Sequence, residues 1–124
     1  MYSQKQDWLE RQIEAIGKTF AAILFGKDKI YSIYNEVDEK KSETENRLLD
    51  FQIDTYITLD KIAEMEKLIF ETVSKNKSCE NLMAALEFYN KISELSEDKL
   101  EKNGFSIEKI KTGIEKLRKV FDEK

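Results

Sequence analysis

Histidine is absent from this 124-residue chain and cysteine occurs once, so the side chains that most often do chemistry near neutral pH are nearly all missing. Without histidine there is no Ser–His or Cys–His nucleophile pair, and the commonest zinc ligand is gone. Carboxylates such as Glu64, Glu66 and Glu71 could in principle meet at a metal. The Glu-x-x-His pattern of di-iron bundles is impossible here, however, and no calcium loop occurs. A Gly-rich phosphate loop, a nucleophile elbow and a dinucleotide fingerprint are also lacking. Cys79 sits just inside the start of a predicted helix, where the dipole would favour a thiolate, but the adjoining Glu80 opposes it. The expectation is a buried structural thiol, with no catalytic set, no metal and no cofactor.

What remains is recognition, and the stretch "DWLERQIEAIGKTFAAILFG", Asp7 to Gly26, is the most distinctive place for it. On a helical wheel Leu9, Ile13, Ile16, Phe20, Ile23 and Leu24 form the main apolar face. Trp8, Gln12, Ala15, Thr19 and Ala22 form a neighbouring face of one large ring and several small side chains. Asp7, Glu10, Arg11, Glu14 and Lys18 fill the polar face. Asp7 with Arg11 and Arg11 with Glu14 have the spacing of surface ion pairs, each worth about 0.2–0.5 kcal/mol. The candidate partner-binding residues are therefore Asp7, Trp8, Arg11, Gln12, Ala15, Thr19 and Ala22. Two neighbouring helices of the same chain could cover this wide arc, or a second copy or another protein could. An interfacial membrane helix would carry Lys and Arg on its polar face, and this face is mixed to acidic. A second recognition element is "EKIKTGIEKLRK", Glu108 to Lys119, where Lys109 and Lys116 share one side and Lys111 and Arg118 another. It reads as a solvated face, with an acidic partner as the alternative.

The elements that would position these residues are helices. With no Pro and four Gly the chain lacks the turn residues of an all-β domain. Helix one begins at a capping box, Ser3 to Gln6, and stops at Gly26. Helix two starts at Asp28 with Ile30, Ile33, Tyr34 and Val37 on one stripe, and the expectation is that it runs through the polar segment 38–46, where nothing breaks a helix, with a kink or loop near Ser42 as the alternative. "FQIDTYIT", Phe51 to Thr58, is the only β-like segment and reads as an irregular connector. Thr58 or Asp60 then caps helix three, with Ile62, Met65, Leu68, Ile69 and Val73 facing the core. Helix four follows the polar turn Ser74 to Ser78 and uses Leu82, Leu86, Tyr89 and Ile92, widened by Met83, Phe88 and Leu95. A short helix from Ser96 ends at Asn103-Gly104. Ser106 caps the last helix, with Phe105 and Ile110 as a hydrophobic staple, and Ile107, Ile110, Ile114, Leu117 and Phe121 form its seam.

The fold class expected is all-α, one domain over residues 1–124, an antiparallel bundle of five to six helices with a hairpin at the C-terminus that loosely suggests a helical repeat. The net charge of −4 argues against a nucleic-acid partner. The longest apolar run, Phe20 to Phe25, is far short of a membrane span, and acidic residues interrupt any signal-peptide pattern near the N-terminus. A cytoplasmic location is expected, and a membrane surface is not the expected partner.

"DWLERQIE" followed by "FAAILFGKDK" resembles the N-terminal signature of an uncharacterised family of small all-helical bacterial proteins, best known among low-GC Gram-positive genomes. Its recurring Asp, aromatic, aliphatic, Arg, Ile and Glu fall here on Asp7, Trp8, Leu9, Arg11, Ile13 and Glu14. The family is a domain of unknown function, so the resemblance implies an all-helical fold and a bacterial origin and brings no activity. The function expected from the residues is a non-enzymatic interaction or adaptor module acting through helix one, with a homodimer as one form. The alternative is a peripheral membrane protein using the same amphipathic helix.

Overall fold

Residues 11–35 and 43–122 are described by the structure, a computed structural model. Their regular structure is all helical, in eight segments joined by short turns: α1 (residues 11–16), α2 (Phe20–Phe25), α3 (Lys27–Asn35), α4 (Glu43–Thr58), α5 (Ile62–Lys75), α6 (Cys79–Ser93), α7 (Glu97–Lys102) and α8 (Ile107–Asp122). Asp7, Trp8 and the capping box at Ser3 lie outside the described residues. So do Val37 and most of the polar segment on which the continuity of helix two turns.

α6 is the centre. Eleven of its fifteen residues are buried, on nearly all sides of the helix, and α2, α3, α4, α5 and α8 pack against it. A helix apolar nearly all round must be covered all round. Ala84 and Ala85 let neighbours approach closely, while Leu82, Leu86, Phe88, Tyr89 and Ile92 contribute about 1.5–3 kcal/mol each on burial. Its start is as the sequence predicts: Ser78 Oγ accepts from the Asn81 amide at 3.1 Å. Cys79 beside it is a buried thiol, pushed up to about 12 by burial and by the Glu80 charge.

Three sequence expectations are corrected. First, helix one is not continuous to Gly26. The chain turns at residues 17–19, where Gly17 is a poor helix former. The Thr19 hydroxyl donates to the Ile16 carbonyl at 2.5 Å and accepts from Asn90 Nδ2 of α6 at 2.7 Å. Second, Phe51 to Thr58 is no connector but the last two turns of α4. Leu49 and Ile53 are buried with Tyr56 and Ile57 half-buried, a helical stripe, and Phe51 is 70% exposed. Burial on α5 and α6 overrides the β preference of these side chains. Third, neither Thr58 nor Asp60 caps α5. Thr58 bonds back to the Asp54 carbonyl, and the residue preceding α5 is Lys61, whose side chain makes no cap.

Asp60 has a different task. It sits in the left-handed region with φ 59°, and its amide donates to the Ile57 carbonyl while the Lys61 amide donates to that of Tyr56. This is a Schellman stop with an aspartate where glycine is usual. α7 ends in the same way at Gly104, with the Phe105 amide bonded to the Leu100 carbonyl and both side chains buried. The left-handed conformation costs an aspartate less than most residues, and three partners hold its carboxylate: Lys99 Nζ at 2.8 Å, Lys102 Nζ at 3.1 Å and Asn103 Nδ2 at 3.1 Å. Asn103 also accepts a long hydrogen bond, 3.4 Å, from the Ile62 amide, capping α5 from another helix. The α4–α5 turn is thereby tied to α7.

Lys99, then Asn103 and Lys102, hold the Asp60 carboxyl well below its ordinary value of 3.8. A lowered folded-state value contributes stability that is complete above 3.8 and is lost as pH falls through and below it. Asp60→Asn, which tolerates the same backbone conformation, is expected to be less stable at pH 7. It should also show a shallower loss of stability on acidification, read from urea midpoints across the acid range. Parallel acid limbs for both proteins would contradict this.

Candidate functional site

Where helix one breaks, its two faces exchange roles. In α2 the side chains of Ala21, Ala22 and Phe25 turn into the core, while Ile23, 68% exposed, and Leu24 face outward. Ala22, a candidate of the small-residue face, is thus a core residue, and two residues of the apolar face are at the surface. The reason is the register: three non-helical residues rotate α2 relative to α1.

Gln12, Ala15 and Thr19 do come together. With Ile16 they form one wall of a groove of about 270 Å³, whose other wall is Glu87, Asn90 and Lys91 of α6 with Glu94 just past its end. Gln12 and Ala15 are exposed, as is Arg11, and Ile13 beneath them is buried. Asn90 links the walls. Its Nδ2 donates to Thr19, and its Oδ1 accepts from the Ala21 amide at 2.8 Å. That amide is one of the donors a new helix leaves unsatisfied, and Thr19, the residue preceding α2, does not cap it. Asn90 therefore caps α2 from α6. Lys91 lies 2.6 Å from Asp54 of α4 and 3.5 Å from Glu87. Partial burial disfavours its charge, but these two carboxylates outweigh it and raise its pKa. The sequence reading missed all four residues of this second wall. The available signal was Asn90 itself, a short amide four residues after Leu86 in an apolar helix, which must find a partner when buried.

On the side of α6 facing α5 and α8, Tyr89 Oη donates to Glu66 Oε2 at 2.6 Å. Burial first, and then the Glu66 carboxylate, push the phenol above its ordinary value of 10.0. Gly113 of α8 makes room for this pair. A Cβ there would approach the Tyr89 hydroxyl most closely and lie 2.7 Å from Glu66 Oε2 and 2.8 Å from Tyr89 Cζ. At the far end of α8, Arg118 Nη1 donates to the Phe25 carbonyl at 3.1 Å and Lys29 pairs with Asp122 at 2.6 Å. Arg118, exposed as the solvated stripe predicts, also reaches back to close the end of α2, beside Gly26 with its φ of 111°. Among the described residues no three His, Cys, Asp or Glu side chains are grouped to hold a metal ion, and no helix is long and apolar enough to cross a membrane.

The chain belongs to a family of unknown function (DUF6483), whose model matches residues 3–122. No match is found among curated proteins or among solved structures.

Two substitutions probe these contacts. Asn90→Ala leaves the Ala21 amide without its cap and is expected to cost about 1–3 kcal/mol in urea unfolding, more than Thr19→Ala; equal small effects would show that the clamp is idle. Gly113→Ala would gain about 0.5–1 kcal/mol in an open helix. Here it is expected to lose about 1–3 kcal/mol through overpacking, part of which Tyr89→Phe recovers by removing the nearest atom. Stabilisation by Gly113→Ala would refute the contact.

Proposed function

We propose that the protein is a non-enzymatic interaction module that receives a protein partner in the groove between α1 and α6, a second copy of the chain in the first instance. The convergence of Gln12, Ala15 and Thr19 on Asn90 carries this reading. Small side chains on one wall let another backbone approach, and the exposed Gln12 amide offers hydrogen bonds that fix a register. Charge supports a second copy as the occupant. A two-fold contact sets one patch against itself, so the patch must carry both signs. Outside the lining, the exposed side chains of Arg11, Glu14 and Lys18 put both signs on the same segment as Gln12 and Ala15, and on the other wall Glu87 and Glu94 flank Lys91. Two copies related by such an axis place basic positions of one against acidic positions of the other. A chain without histidine fits this role better than an acid–base catalyst.

Light scattering after size exclusion tests the reading. Twice the chain mass is expected for the wild type, falling to a single mass for Ala15→Arg, whose long cation fills the groove without disturbing the core. Circular dichroism must show the same helical content in both. A wild type that stays monomeric at high concentration overturns the second-copy form. Flotation of wild type with anionic liposomes, unaffected by Ala15→Arg, would favour peripheral membrane association instead.

A further inference from the structure

The lysines that the sequence places on one side of the last helix meet a third across a larger groove. Between α5 and α8 lies a cleft of about 580 Å³, lined by Lys67 of α5 and by Lys109 and Lys116 of α8. Its volume falls in the range of roughly 300–1,000 Å³ usual for small-molecule sites. Among the described residues Glu66 is the one carboxylate in the lining, and its Oε2 is engaged by the buried Tyr89 hydroxyl. A chain of net charge −4 therefore gathers three cations against a single anion here. Among the described residues none of the three lysines stands in an ion pair. Lys109 is steered toward one end of the cleft by its 2.8 Å bond to the Gly104 carbonyl. Apolar lining is also present: Phe105, 8% exposed, and the half-buried ring of Phe70.

From this juxtaposition we infer that the α5–α8 cleft binds a small amphipathic anion, with its apolar body on Phe70 and Phe105 and its carboxylate or phosphate head among Lys67, Lys109 and Lys116. Field lines from the three ammonium groups concentrate over low-dielectric walls, which favours an anion there despite the acidic chain around it. The aromatic rings supply the burial that a bare inorganic anion cannot use. Gly113 contributes indirectly, by keeping Glu66 and Tyr89 in contact at the base of the cleft. This site is separate from the α1–α6 groove and does not depend on its role.

Titration of the full-length, isotope-labelled chain with octanoate and with octyl phosphate, both below their micellar concentrations, tests the assignment by amide chemical shifts. Saturable shifts confined to α5 and α8 are expected, with 1-octanol and inorganic phosphate each binding at least about tenfold more weakly. The two amphiphiles distinguish a carboxylate from a phosphate head. Lys67→Gln with Lys116→Gln should weaken binding about tenfold, the loss of one charge-assisted contact or more. Glu66→Gln keeps an acceptor for Tyr89 while removing the carboxylate of the described lining, and should tighten binding several-fold. This opposite sign separates charge recognition from general damage, and thermal melts confirm that each variant folds. The inference is overturned if neither amphiphile gives saturable shifts at α5 and α8, if 1-octanol binds as well as octanoate, or if the lysine variant binds unchanged. It is equally overturned if a short glutamate-rich peptide saturates the cleft and the amphiphiles do not, since that outcome assigns the lysines to an acidic protein.

Discussion

Burial of α6 on nearly all sides constrains every helix that packs against it. Its neighbours must present apolar side chains to it and must also tolerate the polar groups it carries inward. Tyr89 and Asn90 are adjacent in sequence and point to different neighbours, one to Glu66 beside α8 and the other to the start of α2. Each fixes a local detail elsewhere in the chain. Tyr89 explains why α8 carries a glycine at 113, in a helix whose other core positions are Ile110, Ile114 and Leu117. Asn90 explains how helix one can break at 17–19 without leaving an amide unbonded in a half-buried site.

Two helices, α2 and α5, start after residues that make no side-chain cap, and each takes its acceptor from an asparagine distant in sequence. A cap supplied by the preceding residue lets a helix form by local chemistry. A cap supplied by another helix couples the start of one element to the placement of a second. The turns around α1–α2 and α4–α5 are therefore tertiary features. The Asp60 carboxylate strengthens the second coupling, since its three partners all come from α7 and its end.

How much could be read beforehand follows from the same distinction. The starts at Ser78, Ser96 and Ser106 were legible because each serine accepts from an amide three residues on. The stop at Gly104 was legible because glycine adopts the left-handed conformation freely. The stop at Asp60 was not, because aspartate reads first as a cap. Phe51 to Thr58 was misread because aromatic and β-branched residues fit either period, and only burial of Ile53 against α5 and α6 chooses the helix. Of the candidate site, Gln12, Ala15 and Thr19 were placed together by helical spacing alone, while Glu87, Asn90, Lys91 and Glu94 were invisible as their counterpart. Local periodicity identifies a face and carries no information about which distant helix lies against it.

By itself the sequence determined that the chain is helical, where most of the apolar stripes run, that Cys79 would be buried, and that histidine-dependent chemistry is excluded. These follow from residue type and from interactions within four residues along the chain. Tertiary structure decided that helix one breaks at a glycine which propensity only weakens, turning Ala22 inward and Ile23 outward, and it brought Lys67 to Lys109 and Lys116 across a cleft. Both depend on side chains far apart in sequence sharing a small volume, where one hydrogen bond or one missing Cβ selects among arrangements that local propensity leaves nearly equal in energy.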